Sequence, residues 1–219
     1  MEAVWDGVRK AETLKDDWVG TRHAVADAAR DYRWLLLLAL LKKTPELINT
    51  TRVDGPSLYA PLHQAAHGGA PVEVAARLIR LGAWRTLRAA RGERPVDIAA
   101  RKGHAHLLEL LQPVYAHEVP LDVLARIQTH FHEVIRGRVE RLVREHDLRL
   151  PELEPLLELP RPHLWFAVAG MYGGFSYTLE AAGATSRLIA ESWCRVCGGS
   201  GQRHLISAAG STLVDEGFV

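Results

Sequence analysis

The chain has 219 residues, 47% of them apolar, with 27 lysines and arginines against 26 acids and a formal charge of +1. That composition excludes a mainly disordered chain, and the near balance of charge excludes a global electrostatic drive toward nucleic acid or an anionic membrane, leaving only local basic patches. Two cysteines cannot staple a small secreted scaffold, and the stretch Met1 to Lys10 is acidic and mixed rather than basic and then apolar, so a reducing, cytoplasmic setting is expected.

Taken in chain order, Glu2 to Trp18 carry Val4, Trp5, Val8, Ala11 and Leu14 at three-to-four spacing, which predicts an amphipathic helix and makes residues 1–20 an N-terminal capping segment. The longest apolar run, Trp34 to Leu41, spans eight residues and is too short to cross a bilayer as a helix, so no membrane is expected as partner. Pro61-Leu62-His63-Gln64-Ala65-Ala66 then aligns on Pro95-Val96-Asp97-Ile98-Ala99-Ala100 at a lag of 34 residues, the period of a repeat array. A glycine, Gly69 or Gly103, follows each block, and after it an amphipathic segment, Val74 to Ile79 or His106 to Leu111. Each unit reads as turn, short helix, tight turn, second helix. The prolines suit a first helical turn, and the alanines allow close approach of two helices.

The block Ala60-Pro61-Leu62-His63-Gln64-Ala65-Ala66 resembles the ankyrin signature Thr-Pro-Leu-His-x-Ala-Ala, and Leu81-Gly82-Ala83 resembles that repeat's Gly-Ala ending. Ala28-Ala29-Arg30, Leu35 to Leu41 and Pro45-Glu46-Leu47-Ile48-Asn49 look like a further copy without the Pro-Leu-His block. The resemblance implies about three ankyrin repeats over residues 21–113, the first a capping unit. Gly68-Gly69-Ala70-Pro71 carries one extra residue and Gln112-Pro113 lacks the Gly-Ala ending. It also implies that His63 hydrogen-bonds backbone in a neighbouring turn, that His67 and His104 occupy repeat positions, and that turn tips and first helices form the recognition surface. On that carry-over the contact residues are Arg52, Val53, Asp54, Ser57, Leu58 and Tyr59, then Arg88, Arg91, Glu93 and Arg94.

After the array, Pro120-Leu121-Asp122 opens a helix with Leu121, Leu124, Ile127, Phe131 and Val134 or Ile135 on one face, broken or kinked at Gly137. His130 and His132 sit on different sides of it, and no His-Glu-x-x-His order is present. Residues 114–160 are read as a helical connector packing on the repeats, and the β tail, too small to stand alone, is expected to pack on its Pro120 to Leu157 part. Pro151, Pro155, Pro160 and Pro162 end the helical grammar near Arg161, and residues 161–219 predict a glycine-punctuated antiparallel meander with strands His163–Ala169, Phe175–Leu179, Arg187–Val196, Arg203–Ser207 and Thr212–Val214. The fold class expected is therefore mainly α: a short ankyrin-repeat stack, further helices and a small β tail.

Three patterns in the tail bear on chemistry. Cys194-Arg195-Val196-Cys197-Gly198-Gly199-Ser200-Gly201 matches one Cys-x-x-Cys-x-Gly-x-Gly unit of the zinc region in J-domain chaperones, but it is half a site unless His163 and His204 complete it. Glu191 with His204 from the next strand makes an acid/base pair, with Cys194 as nucleophile if it turns to the same side, which the pleat opposes. The glycines fit neither a P-loop nor a dinucleotide fingerprint, and no cofactor is called for. Arg77, Arg80, Arg85, Arg88, Arg91, Arg94, Arg101 and Lys102 cluster around the second and third repeats, which suits an acidic protein surface; nucleic acid lacks the aromatic-basic interleaving that would support it.

Two readings stand side by side. One is a scaffold that binds another protein through its repeats. The other is a small enzyme or small-molecule-binding protein whose site, built on Glu191, His204 and Cys194, lies between the repeats and the β tail.

Overall fold

A computed structural model of the chain describes residues 3–195 and 200–217. They divide into two compact units, Arg9–Val114 and Met1–Val8 together with Tyr115–Val219.

The unit Arg9–Val114 holds six helices in three antiparallel pairs: α1 (Asp16–Arg30) with α2 (Trp34–Lys43), α3 (Pro61–Gly68) with α4 (Val72–Arg80), and α5 (Pro95–Arg101) with α6 (Ala105–Leu111). Helix α3 packs between α1 and α5, and α4 packs on α6. The two short helices α3 and α5 start the same way. Pro61 and Pro95 occupy the first turn, and the third helical residue reaches back to the cap: His63 Nδ1 accepts from the Ala60 N–H at 3.2 Å, and Asp97 Oδ2 from the Arg94 N–H at 2.9 Å. Helix α3 ends at Gly69 with φ of 60°, where a Cβ would lie 2.6 Å from the His104 ring, so both conformation and space demand glycine.

Leu37, Leu41, Leu62, Leu78, Ile98, Leu107 and Leu111 fill the core of this unit, and Ala65, Ala66, Ala75 and Ala99 let the helices approach. Side chains also tie successive pairs through backbone. The Asn49 amide donates to the Gly82 carbonyl at 2.8 Å and accepts from the Trp84 N–H at 2.9 Å. His104 Nε2 donates to the His67 carbonyl at 3.2 Å, and His106 Nε2 to the Ala70 carbonyl at 3.1 Å. These bonds connect residues 33 to 37 apart, the spacing of the sequence repeat.

The other unit is a six-stranded sheet in the order β1 (Val4–Trp5), β2 (His163–Val168), β3 (Gly173–Glu180), β4 (Arg187–Cys194), β5 (Ser200–Ser207), β6 (Gly210–Glu216). Strands β2 to β6 are antiparallel neighbours, whereas β1 runs parallel to β2. The period-two pattern turns Leu164, Phe166, Phe175, Tyr177, Leu188 and Ile206 inward. Helix α7 (Leu121–Glu145) covers this face, with the Phe131 ring 5.0 Å from Tyr177 and 6.2 Å from Phe175.

Several expectations are corrected. Of the described residues 45% are helical and 18% lie in strands, with seven α-helices and a six-stranded mixed sheet, so the chain is α+β and not a mainly α ankyrin stack with a small antiparallel tail. The Glu2 to Trp18 segment is no amphipathic helix: its first residues form β1, Ala11–Thr13 is a 3-10 turn, and α1 starts at Asp16. Helix α7 covers the sheet, as expected of the Pro120 to Leu157 segment, but its break is at Val139 (φ −144°, ψ 29°) rather than at Gly137. The Glu2 to Trp18 segment departs from a helix because of Trp5. It is 2% exposed, its indole N–H donates to the Arg149 carbonyl at 2.9 Å, and the Arg149 guanidinium stands 4.9 Å from its ring centre. The apolar spacing of the segment therefore serves a sheet edge some 160 residues away in the chain, Trp5 being in register with Phe166.

Replacing Trp5→Ala removes a fully packed indole and its bond to Arg149, and the expected cost is about 3–5 kcal/mol of stability. A lower urea midpoint at unchanged slope checks it.

Candidate functional site

Two loops in the Arg9–Val114 unit carry the residues expected to make contact, residues 51–59 and 87–94. Their shape comes from backbone satisfied locally. In the first, Asp54 takes φ of 58°; its N–H donates to the Arg9 carbonyl at 2.7 Å and its carboxylate accepts from the Ala11 N–H at 3.2 Å. In the second, Ala89 N–H donates to the Glu93 carbonyl at 2.8 Å and Gly92 N–H to the Ala89 carbonyl at 2.9 Å, closing a tight turn with Gly92 at φ of 75°. The loops are joined to each other by Ala90 N–H donating to the Ser57 carbonyl at 2.9 Å.

His63 sets their height above the helices. It is fully buried, and with Nδ1 accepting from Ala60 its other nitrogen, Nε2, donates to the Leu87 carbonyl at 2.9 Å. Both ring nitrogens are thus satisfied in the neutral form, as buried polar groups require. The imidazole ties the start of α3 to the root of the next loop.

The side chains of the two loops divide into engaged and presented ones. Arg52 is ion-paired with Asp27, and Arg88 Nη1 donates to the Gly92 carbonyl at 2.9 Å. Arg101 forks onto Glu93 at 2.6 and 3.2 Å and reaches the Tyr59 hydroxyl at 3.4 Å. That fork holds the Glu93 carboxyl below the usual carboxylate range. Tyr59 stacks on His63 at 5.7 Å and meets His67 edge-on at 5.9 Å. Burial pushes the His67 imidazole down, with Lys102, Arg101 and His104 acting in the same direction, and its Nδ1 lies 2.9 Å from the Tyr32 hydroxyl. Asp54, Ser57, Arg91, Arg101 and Lys102 are exposed, whereas Arg52, Tyr59, Arg88, Glu93 and Arg94 are half-buried and Val53 is buried. Sequence reasoning had Arg101 within a basic cluster but not as the partner of Glu93 and Tyr59, and it missed Tyr32. Tyr59 and Arg101 are 42 residues apart, and no spacing pattern joins them.

The tail residues are separated rather than gathered. Glu191 faces Arg203 across β4 and β5 and is ion-paired with it at 2.6 Å, while His204 faces Ala190 on the other side of the sheet. The acid/base pair of Glu191 and His204 does not form, because neighbours in register share a face and Glu191 and Ala190 alternate. His163, which a metal site on Cys194 and Cys197 would need, bonds the Thr178 hydroxyl at 2.9 Å. Cys197 lies outside the described residues, and among those described no three histidine, cysteine or acidic side chains are placed to hold a metal ion. Cys194 is buried and lines a cavity of about 280 Å³ at the break in α7, together with Arg138, Val139, Leu142, Gly170 and Met171. Arg138 donates from Nη2 to the Ser200 carbonyl and hydroxyl at 2.8 and 3.0 Å.

Two histidines of this unit make its stability depend on pH. Burial pushes down both His132, whose Nε2 donates to the Pro151 carbonyl at 2.8 Å, and His204, which also lies near Arg138. Between the lowered folded values and the unfolded value of about 6.5 the unfolded chain binds more protons, so stability is full above that range and falls as pH drops through it. The urea midpoint is expected to be lower at about pH 5 than at about pH 7, and His132→Gln, which keeps a donor for Pro151, is expected to narrow that difference. An unchanged difference in the variant would exclude His132 as a source. Neither the models of known protein families nor the curated proteins give a match for this chain, so the geometry just described carries the functional argument.

Proposed function

We propose that the Arg9–Val114 unit is a cytoplasmic protein-binding surface and that an acidic face of another protein docks on its two joined loops. The observation that carries this reading is the Ala90 to Ser57 bond together with the His63 to Leu87 bond, which fix two loop tips to each other and to the helices. A surface ordered before binding loses little entropy on association. The exposed residues on and beside the tips include the bases Arg91 and Lys102 and the acid Asp54, while Arg101 and Glu93 offset each other in their ion pair. The likeness of residues 60–66 to the ankyrin signature supports the same use of turn tips. Catalysis at these tips finds no support, since Tyr59, His63 and Glu93 are each occupied by a neighbour in the unit.

Arg91→Glu with Lys102→Glu is expected to weaken capture of the partner by about tenfold or more at low salt and to flatten its salt dependence, because both side chains are exposed and rim charges act mainly through steering. Glu191→Ala and His204→Ala should leave capture unchanged. Equal capture by the charge-reversed protein in a quantitative pull-down would remove the loop tips from the binding surface.

The cavity beside Cys194 favours a second reading, a small polar ligand held in the sheet's unit among Arg138, Glu140 and Arg141 on one side and Val139, Leu142 and Met171 on the other. A native mass spectrum set beside a denatured one is expected to show a noncovalent passenger on this reading; a bare mass that stays bare after incubation with cell metabolites would exclude it.

A further inference from the structure

Helix α2 stands apart from the other helices of its unit. Eight consecutive apolar residues, Trp34 to Leu41, are followed by Lys42 and Lys43, and the helix contains no acid. Leu37 and Leu41 are buried, and Trp34, Leu38 and Leu40 are partly buried against the same core, which leaves Leu35, Leu36 and Ala39 exposed. At about 100° per residue the solvent-facing arc carries Lys42, Leu35, Ala39, Lys43 and Leu36 in that order, and all five are exposed. Leu35 is 87% exposed and Leu36 42%, while Tyr32, in the turn before the helix, is 41% exposed with its ring 5.5 Å from Trp34. A scattered exposed leucine is ordinary, but adjacent leucines and a tyrosine at one helix end, with two lysines at the other, form a patch of defined polarity.

The chemistry of the patch selects its occupant. A second copy of this chain is disfavoured. Antiparallel pairing of two α2 helices sets Lys42 and Lys43 against the partner helix's leucines, and parallel pairing sets lysine against lysine. A folded protein partner would need a pocket for a convex leucine knob, whereas a bilayer yields to one. At the apolar end Arg33 is ion-paired with Asp31 at 3.2 Å, and Arg30 with Asp31 at 3.0 Å and Asp27 at 3.1 Å. At the other end Lys42 and Lys43 are both exposed, on a helix that itself contains no acid.

We propose that α2 is a peripheral contact for an anionic lipid bilayer, with Leu35 and Leu36 entering the boundary between headgroups and acyl chains while Lys42 and Lys43 meet anionic headgroups. The run is too short to span, and its exposed members Leu35, Leu36 and Ala39 share one arc with the two lysines, as a shallow interfacial contact requires. The two signals complement each other: a small apolar contact alone binds marginally, and lysines near an anionic surface add to it. This contact uses a different helix from the loop tips of the protein-binding reading and does not depend on it.

The test is sedimentation of the full chain with vesicles of phosphatidylcholine alone and of phosphatidylcholine with phosphatidylglycerol. The wild type is expected to sediment with the anionic vesicles and to be released by salt. Lys42→Glu with Lys43→Glu should weaken that binding about tenfold or more. Leu35→Asp should abolish it while leaving circular dichroism unchanged, because Leu35 packs on almost nothing; if that variant misfolds, the lysine pair supplies the same decision. Failure of the wild type to sediment with anionic vesicles overturns the proposal. So does equal binding by Leu35→Asp and wild type, or a dimer in solution that Leu35→Asp splits, which would assign the patch to a second copy.

Discussion

A buried imidazole must have both nitrogens satisfied or cost the fold its desolvation, and the arrangement of the two loops follows from how His63 meets that demand. One nitrogen closes the start of α3 against Ala60, and the other holds the Leu87 carbonyl of the next loop. Because the ring is rigid, the two bonds fix a distance between a helix start and a loop root that loop residues alone would leave free. Tyr59 stacks on the same ring and receives Arg101, which in turn holds Glu93. One satisfied side chain at the base thus orders the polar side chains above it, and the surface offered to solvent is stiff.

The sheet's unit is organised by a different constraint, the covering of one apolar face. Phe131 on α7 meets Phe175 and Tyr177, and the same face receives Leu164, Phe166 and Ile206 from the neighbouring strands. Trp5 is added beside β2 by a two-residue strand and by its indole bond to Arg149, so residues at the start of the chain complete a sheet built from its end. The break of α7 at Val139 leaves the cavity that Cys194 and Arg138 line. Chemistry in this unit is dispersed by the pleat: Glu191 and His204 lie on opposite faces although they belong to adjacent strands.

Legibility varied with how local the cause was. Pro61, Pro95, Gly69 and Gly103 act through their own backbone geometry, and the helix starts and turns they mark are where the repeat of 34 residues places them. The strands from His163 to Glu216 follow from alternation and glycine punctuation, to within a few residues at their ends. The segment around Val4 and Trp5 misled because its three-to-four spacing satisfies a helix pattern, while two residues are too few to display a strand period; only the sheet edge that receives Trp5 explains it. The exposure of Asp54 and Arg91 follows from their loop positions. The fork of Arg101 onto Glu93 and Tyr59 was not legible, since it joins an α5 side chain to both loops.

By itself the sequence determined the paired short helices, their repeat spacing, the meander of the tail and the basic residues near the loops, because each rests on local periodicity, turn chemistry or composition. The tertiary structure decided what those elements became: a mixed sheet completed by the N-terminus, α7 as its cover, the separation of Glu191 from His204, and the exposure of Leu35. Burial and strand register arise from contacts between residues far apart in the chain. A local pattern of apolar residues states that a face must be covered, and the fold alone decides by what, or whether it is left for a partner.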